Sequence, residues 1–129
     1  MILLDTNYIL RYLLRDNEEM FVTANEVISS QHCFILESVL AEVVYVLNGV
    51  YKTPKPLIAK TLSQFISLEN MSMHETASTF MTALDYYQCN NLDFVDCCLC
   101  SRKGRYEIKS FDKKLTKCLE DEDFQGSTD

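Results

Sequence analysis

Four carboxylates stand in apolar company where a charge is costly. Asp5 ends "MILLD", directly behind three aliphatic residues, and Glu42 is the only charged group among the nine residues from Val39 to Leu47. Asp96 lies in "LDFVDCCLC" between Val95 and Cys97, with Asp93 three residues earlier, and Asp112 interrupts "IKSFDKKL". An unpaired carboxylate in such surroundings must reach solvent, find a partner or bind a cation. Several of them converging on one point repel each other and need a positive charge. An all-oxygen set suits magnesium or manganese, which keep several waters and accept phosphate oxygens. Such a cation polarises a phosphate and lowers the pKa of a bound water for in-line attack.

Taken singly, each acid has a plainer reading. Asp5, Asp93 and Asp112 are all placed to cap helices, and Glu42 fits a narrow exposed stripe. Other chemistries lack their parts. There is no G-x-S-x-G, and three glycines do not make a phosphate-cradling loop. His32 and His74 begin a strand and a helix, where structural or exposed roles suffice. Six cysteines in a small chain raise the question of disulfides. With no basic n-region before Asp5, a reducing compartment and small buried hydrophobes are the expectation. Cys97 and Cys100 form one C-x-x-C, and no second such pair completes a four-ligand zinc site.

The elements that must position these acids follow from hydrophobic period. Residues 2–4 read as a buried strand. "TNYILRYLLR" reads as a helix with Thr6 as N-cap, and a second helix spans about 18–29. "HCFIL" reads as a strand, followed by a helix from Ser38 that stops at Gly49. Pro56 fits the first turn of the next helix. A short extended piece near 69–72 precedes helices over about 74–89 and 93–103. "YEIKS" (106–110) reads as a last strand and "DKKLTKCLE" as a terminal helix. Short apolar strands alternating with helices predict a three-layer α/β/α sandwich around a central parallel sheet. Ligands in such folds bind at the carboxyl ends of the strands, where Asp5 stands.

A chain of 129 residues supports one domain over 1–119, with an acidic, flexible tail over 120–129. No apolar stretch approaches the roughly 18 residues of a membrane helix, so a cytoplasmic protein is expected. The net charge of −7 opposes a general affinity for phosphates, yet seven of the twelve basic residues fall between Arg102 and Lys117. That stretch is either a solvated helix face or a local contact for nucleic acid.

"MILLDTNYILRYLLRDNEEM", "SVLAEVVYVLNGVY", "LDFVDCCLCSRKG" and "IKSFDKKL" together resemble the four acidic motifs of the PIN-domain ribonucleases, above all the VapC-type toxins of toxin–antitoxin pairs. The likeness runs from Met1 to about Leu119. It implies an endoribonuclease dependent on Mg2+ (or Mn2+), with Asp5 and Asp96 as principal metal carboxylates and Glu42 and Asp112 completing the catalytic set. Asp93 matches a position that is often acidic. Thr6 and Asn7 would hold Asp5 and the metal waters, and Ser110 replaces the usual threonine. Cysteines at 97, 98 and 100 replace small aliphatic residues. The resemblance further implies a homodimer and a small antitoxin, served by apolar helix faces early in the chain. It also raises Arg102, Lys103, Arg105, Lys113 and Lys114 as contacts for the RNA backbone. The alternatives are a catalytically silent PIN-fold protein-binding module and a stand-alone RNA-processing nuclease. A small phosphatase is disfavoured, because "DTN" offers no adjacent second acid.

Overall fold

In the computed structural model, which describes residues 1–121, three short strands pair in parallel in the order β1-β2-β3. Strand β1 (Ile2–Leu3) sets Ile2 against Cys33 and Leu3 against Phe34 of β2 (Cys33–Ile35). On the other side of β2, Cys33, Phe34 and Ile35 pair with Met71, Ser72 and Met73 of β3 (Met71–Met73). The short extended piece expected near 69–72 is therefore an edge strand. Each parallel connection contains two helices, which leaves the sheet flanked by helices in the expected three-layer α/β/α arrangement.

Helix α1 (Thr6–Leu14) is capped by Asp5, whose side chain accepts from the Tyr8 amide at 2.9 Å. Thr6 is thus the first helical residue and not the cap. Arg15, at φ 51°, closes α1 in the left-handed region. Asn17 caps α2 (Glu18–Ser30) by accepting from the Met20 amide. Helix α3 (Glu37–Gly49) buries Leu40, Val43, Val44 and Leu47, which leaves Glu42 and Tyr45 on its exposed side one turn apart. Pro54 and Pro56 pre-set the start of α4 (Lys55–Ile66). Helix α5 (Ala77–Cys89) starts later than the sequence suggested, at the Thr76 cap. Helix α6 (Phe94–Cys100) is short, and α7 (Lys113–Glu120) buries Leu115 and Cys118. Residues 122–129, most of the expected tail, lie outside the described residues.

The start of α6 is fixed by aromatic packing. Phe94 meets Phe80 at 5.4 Å and Tyr87 at 5.5 Å between ring centroids, all three buried. That cluster is the platform on which Asp96, one half-turn further on, is mounted.

Three sequence expectations are corrected here. The segment 106–110 is not a strand; only an isolated bridge joins Lys103 to Tyr106. Its charges pair with each other (Lys109 to Glu107 at 2.9 Å), while Tyr106 and Phe111 face solvent, so little apolar surface pulls it onto a sheet. Strand β1 consequently lies at the sheet edge, where Leu4 is buried but Leu3 is 65% exposed. The cysteines are not all unpaired: Cys100 of α6 and Cys118 of α7, both buried, form a disulfide. The small-hydrophobe reading holds for Cys97 and Cys98, whose thiols burial pushes up to about 12.

Candidate active site

The carboxyl ends of β1 and β2 feed α1 and α3, and the first acidic contact forms there. Thr6 Oγ1 donates to Glu42 Oε1 at 2.6 Å. Thr6, the residue after Asp5, thereby links the start of α1 to Glu42 of α3. Asn7 lines a separate hollow beside Tyr8, Arg11 and Met20.

The remaining acids line a cleft of about 430 Å³ between α3, α6 and α7. Asp93 and Asp96 come from the start of α6, and Asp112 from the start of α7. Asp93 stands at the N-cap position but makes no cap hydrogen bond. Its Oδ2 accepts instead from the Tyr45 hydroxyl at 2.6 Å. That bond, with burial and the Asp93 charge adding to it, pushes the Tyr45 phenol up to about 12. Asp112 does cap, accepting from the Leu115 amide at 2.8 Å, and Ser110 Oγ accepts from the Asp112 amide at 3.0 Å. Ser110 thereby shapes the turn that delivers Asp112.

Asp96 is different. It is half-buried, and among the described residues no donor reaches its carboxylate. Burial raises its pKa, and repulsion from Asp112 and Asp93 raises it further. Asp5 and Glu42 do not line this cleft. The structure thus forms two acidic groups joined by α3, which carries both Glu42 and Tyr45.

The donor set fits a hard divalent cation. The oxygens are all carboxylate, and the charge at Asp96 is uncompensated by protein donors. No three metal-ligating side chains are gathered within reach of one ion among the described residues. A magnesium-type ion, held by one or two carboxylates and its own waters, does not require three.

The basic candidates divide sharply. Arg102 grips both oxygens of Glu37 at 2.9 and 2.8 Å and donates to the Cys98 carbonyl at 2.7 Å, which locks α6 to α3. Lys103 donates to the Cys118 and Asp121 carbonyls at 2.7 and 2.6 Å, closing the C-terminus of α7. Both are engaged within the fold. Arg105 reaches Glu75 at 3.4 Å but is half exposed, and Lys113 and Lys114 open α7 into solvent.

Sequence reasoning missed the cleft's other lining: Tyr45, Asn48, Lys55, Tyr87 and Asn91. The ammonium of Lys55 lies 4.5 Å over the Tyr87 ring. One signal was available, since Tyr45 follows Glu42 by three residues and must share its helix face. Lys55 lies between two prolines at the very start of α4, with no periodic cue.

The early helix faces expected to bind partners are largely used inside the fold. Tyr12 stacks on Phe21 at 5.9 Å and meets Phe65 at 5.7 Å, while Leu13 and Leu14 pack on the core. No helix among the described residues is long and apolar enough to cross a membrane.

The PIN domain family model matches residues 2–117. No curated protein and no solved structure matches the chain. With that match spanning both acidic groups and every described strand, the chain belongs to the PIN domain family, a nuclease superfamily.

Proposed function

We propose that this protein is a metal-dependent endoribonuclease of the VapC type, the toxin of a toxin–antitoxin pair. The observation that carries the reading is Asp96, a half-buried carboxylate left without a protein donor and pressed by two other acids. Such a group wants a cation, and its helix N-terminus and oxygen-only neighbours suit Mg2+ or Mn2+. Asp96, with at most one of its neighbours Asp112 and Asp93, would hold the ion together with the ion's own waters, and Asp5 and Glu42 would complete the acidic edge from the other side of α3. The bound ion would supply a Lewis acid for the phosphate and a more acidic water. The chain's own residues do the rest. Thr6 orients Glu42, Tyr45 orients Asp93, and Ser110 shapes the turn at Asp112. Lys113, Lys114 and Arg105 draw the RNA backbone toward an otherwise repulsive edge. A homodimer and a small antitoxin belong to the same reading. Met20 and Val22 of α2, 49% and 47% exposed, are the apolar side chains available for such contacts on that part of the surface.

The test is cleavage of single-stranded RNA with and without Mg2+ or Mn2+. Activity should require the ion, be nearly abolished in Asp96→Asn and fall less steeply in Asp5→Asn, with the helical circular dichroism unchanged in both. If both variants cleave like the parent, the site is wrongly placed. The absence of three gathered ligands among the described residues favours a second reading, a silent PIN-fold binding module. That reading predicts no cleavage and no thermal stabilisation by either ion.

A further inference from the structure

We propose that the cleft beside the acids seats one unstacked ribonucleotide of the RNA and reads its base. This rests on the ribonuclease reading of the same site and names which residues choose the substrate sequence. The cleft's volume, about 430 Å³, lies near the low end of the roughly 300–1,000 Å³ typical of sites for a single small ligand.

Its lining is divided by chemistry. Asp93, Asp96 and Asp112 form the acidic side, which holds the scissile phosphate only through a cation. The rest is uncharged or basic. Lys55 is steered into place by the Tyr87 ring beneath it, and Lys114 projects from the first turn of α7. Both ammonium groups suit a phosphate oxygen next to the reacting one. Tyr45 is exposed as a residue (46%), yet its hydroxyl is fixed on Asp93 at 2.6 Å. A ring held still by its polar end is a stacking platform at little entropic cost. Asn48 and Asn91 add two carboxamides to the same wall.

Phosphate alone would not need that combination. Proteins read RNA sequence by splaying out single-stranded bases, stacking them on aromatic rings and hydrogen-bonding their edges. Asn48 is already half committed, since its Nδ2 donates to the Thr53 carbonyl at 3.1 Å. One N–H donor and the acceptor oxygen remain, so Asn48 suits a base edge that presents a donor beside an acceptor. Tyr45 therefore serves twice, as positioning residue for Asp93 and as the surface on which the base lies.

Two measurements on the full chain test this. The first uses Asp96→Asn as a cleavage-silent carrier and titrates it with a labelled single-stranded oligoribonucleotide and with the four ribonucleoside 5′-monophosphates. Adding Lys55→Ala or Tyr45→Ala should weaken binding about tenfold, while Tyr45→Phe, which keeps the ring, should bind close to the carrier. The second sequences the cleavage products of the active parent. Asn48→Ala should raise KM far more than it lowers kcat and should change the base preferred at one position beside the cut. Unaltered RNA binding in Tyr45→Ala and Lys55→Ala, together with an unaltered base preference in Asn48→Ala, overturns the proposal. A parent that never cleaves RNA overturns the ribonuclease reading alone. In that case nucleotide binding that is lost in the cleft variants still supports the cleft, and no nucleotide binding at all overturns it.

Discussion

The two acidic groups joined by α3 are held in opposite ways. On the α1 side every charge has a protein donor: Asp5 takes the Tyr8 amide and Glu42 takes the Thr6 hydroxyl. On the α6 side Asp93 and Asp112 are likewise satisfied, by Tyr45 and the Leu115 amide, but they flank Asp96, which has no donor among the described residues. A carboxylate whose lone pairs are met by fixed donors is a mount that shapes its surroundings. A carboxylate left partly desolvated among like charges is a place prepared for something positive. Residue type alone does not separate the two, since Asp5 and Asp96 both sit at helix starts within apolar sequence.

The largest expected effect tests that contrast on activity. Asp96→Asn should lower kcat/KM for RNA by about 10³-fold, roughly 4 kcal/mol of barrier. Asp5→Asn keeps an acceptor for the Tyr8 amide, because asparagine caps as well as aspartate, and should fall by only about 10–100-fold. Steady-state kinetics on the two purified variants decide it. Equal losses would break the comparison and place both acids on one ion.

Next in size is the link between α6 and α7. The Cys100–Cys118 disulfide closes a separation of 18 residues and ties the helix of Asp96 to the helix of Asp112. Replacing both cysteines with alanine should cost about 3 kcal/mol of stability, read as a lower urea midpoint at unchanged slope. If Asp112 acts beside Asp96, cleavage should weaken in the same variant at temperatures where it stays folded. A variant that loses stability but keeps full activity would leave Asp112 a helix cap and nothing more.

The contrast also marks how far the sequence could be read. Helices α1 and α3 were legible because their apolar residues recur at helical spacing and one side alone is buried. The acids were legible because a charge inside an apolar run needs a reason. Which acids were satisfied was not legible, because that depends on donors from distant chain. The Thr6–Glu42 bond spans 36 positions and the Tyr45–Asp93 bond spans 48. The plainest cap candidate, Asp93, makes no cap bond at all, while Asp5 and Asp112 do. The segment 106–110 carried strand-like alternation without the buried face that turns alternation into pairing. Arg102 and Lys103 looked like part of a basic patch until Glu37 and the α7 carbonyls took them up.

A smaller effect probes the satisfied side. Thr6→Val removes the donor to Glu42 while keeping the side chain's shape, and should cost about 1 kcal/mol of stability. Thermal melts would read it. A change within error would mean that solvent serves Glu42 as well as Thr6 does, and the α1 group would lose its distinction as the donor-held one.

The smallest effect follows from the raised pKa of Asp96, and its sign separates the groups most cleanly. Burial first, then Asp112 and Asp93, make the folded protein hold the Asp96 proton more tightly than the unfolded chain does. Over the window between the ordinary carboxyl value and the raised one, the folded state therefore binds more protons. Stability then falls as pH rises through that window and recovers as pH is lowered through it. The penalty is fully present at neutral pH without metal. Asp96→Asn removes it, so the metal-free variant should melt a few degrees above the parent at neutral pH, and the gap should close on acidification. Mg2+ should act the other way, raising the melting temperature of the parent at neutral pH and leaving Asp96→Asn nearly unmoved. Melts of the two proteins across pH, with EDTA and with Mg2+, give all four curves. A parent that melts above Asp96→Asn at neutral pH in EDTA would mean that the Asp96 charge is already compensated within the fold, and the difference between the two acidic groups would vanish.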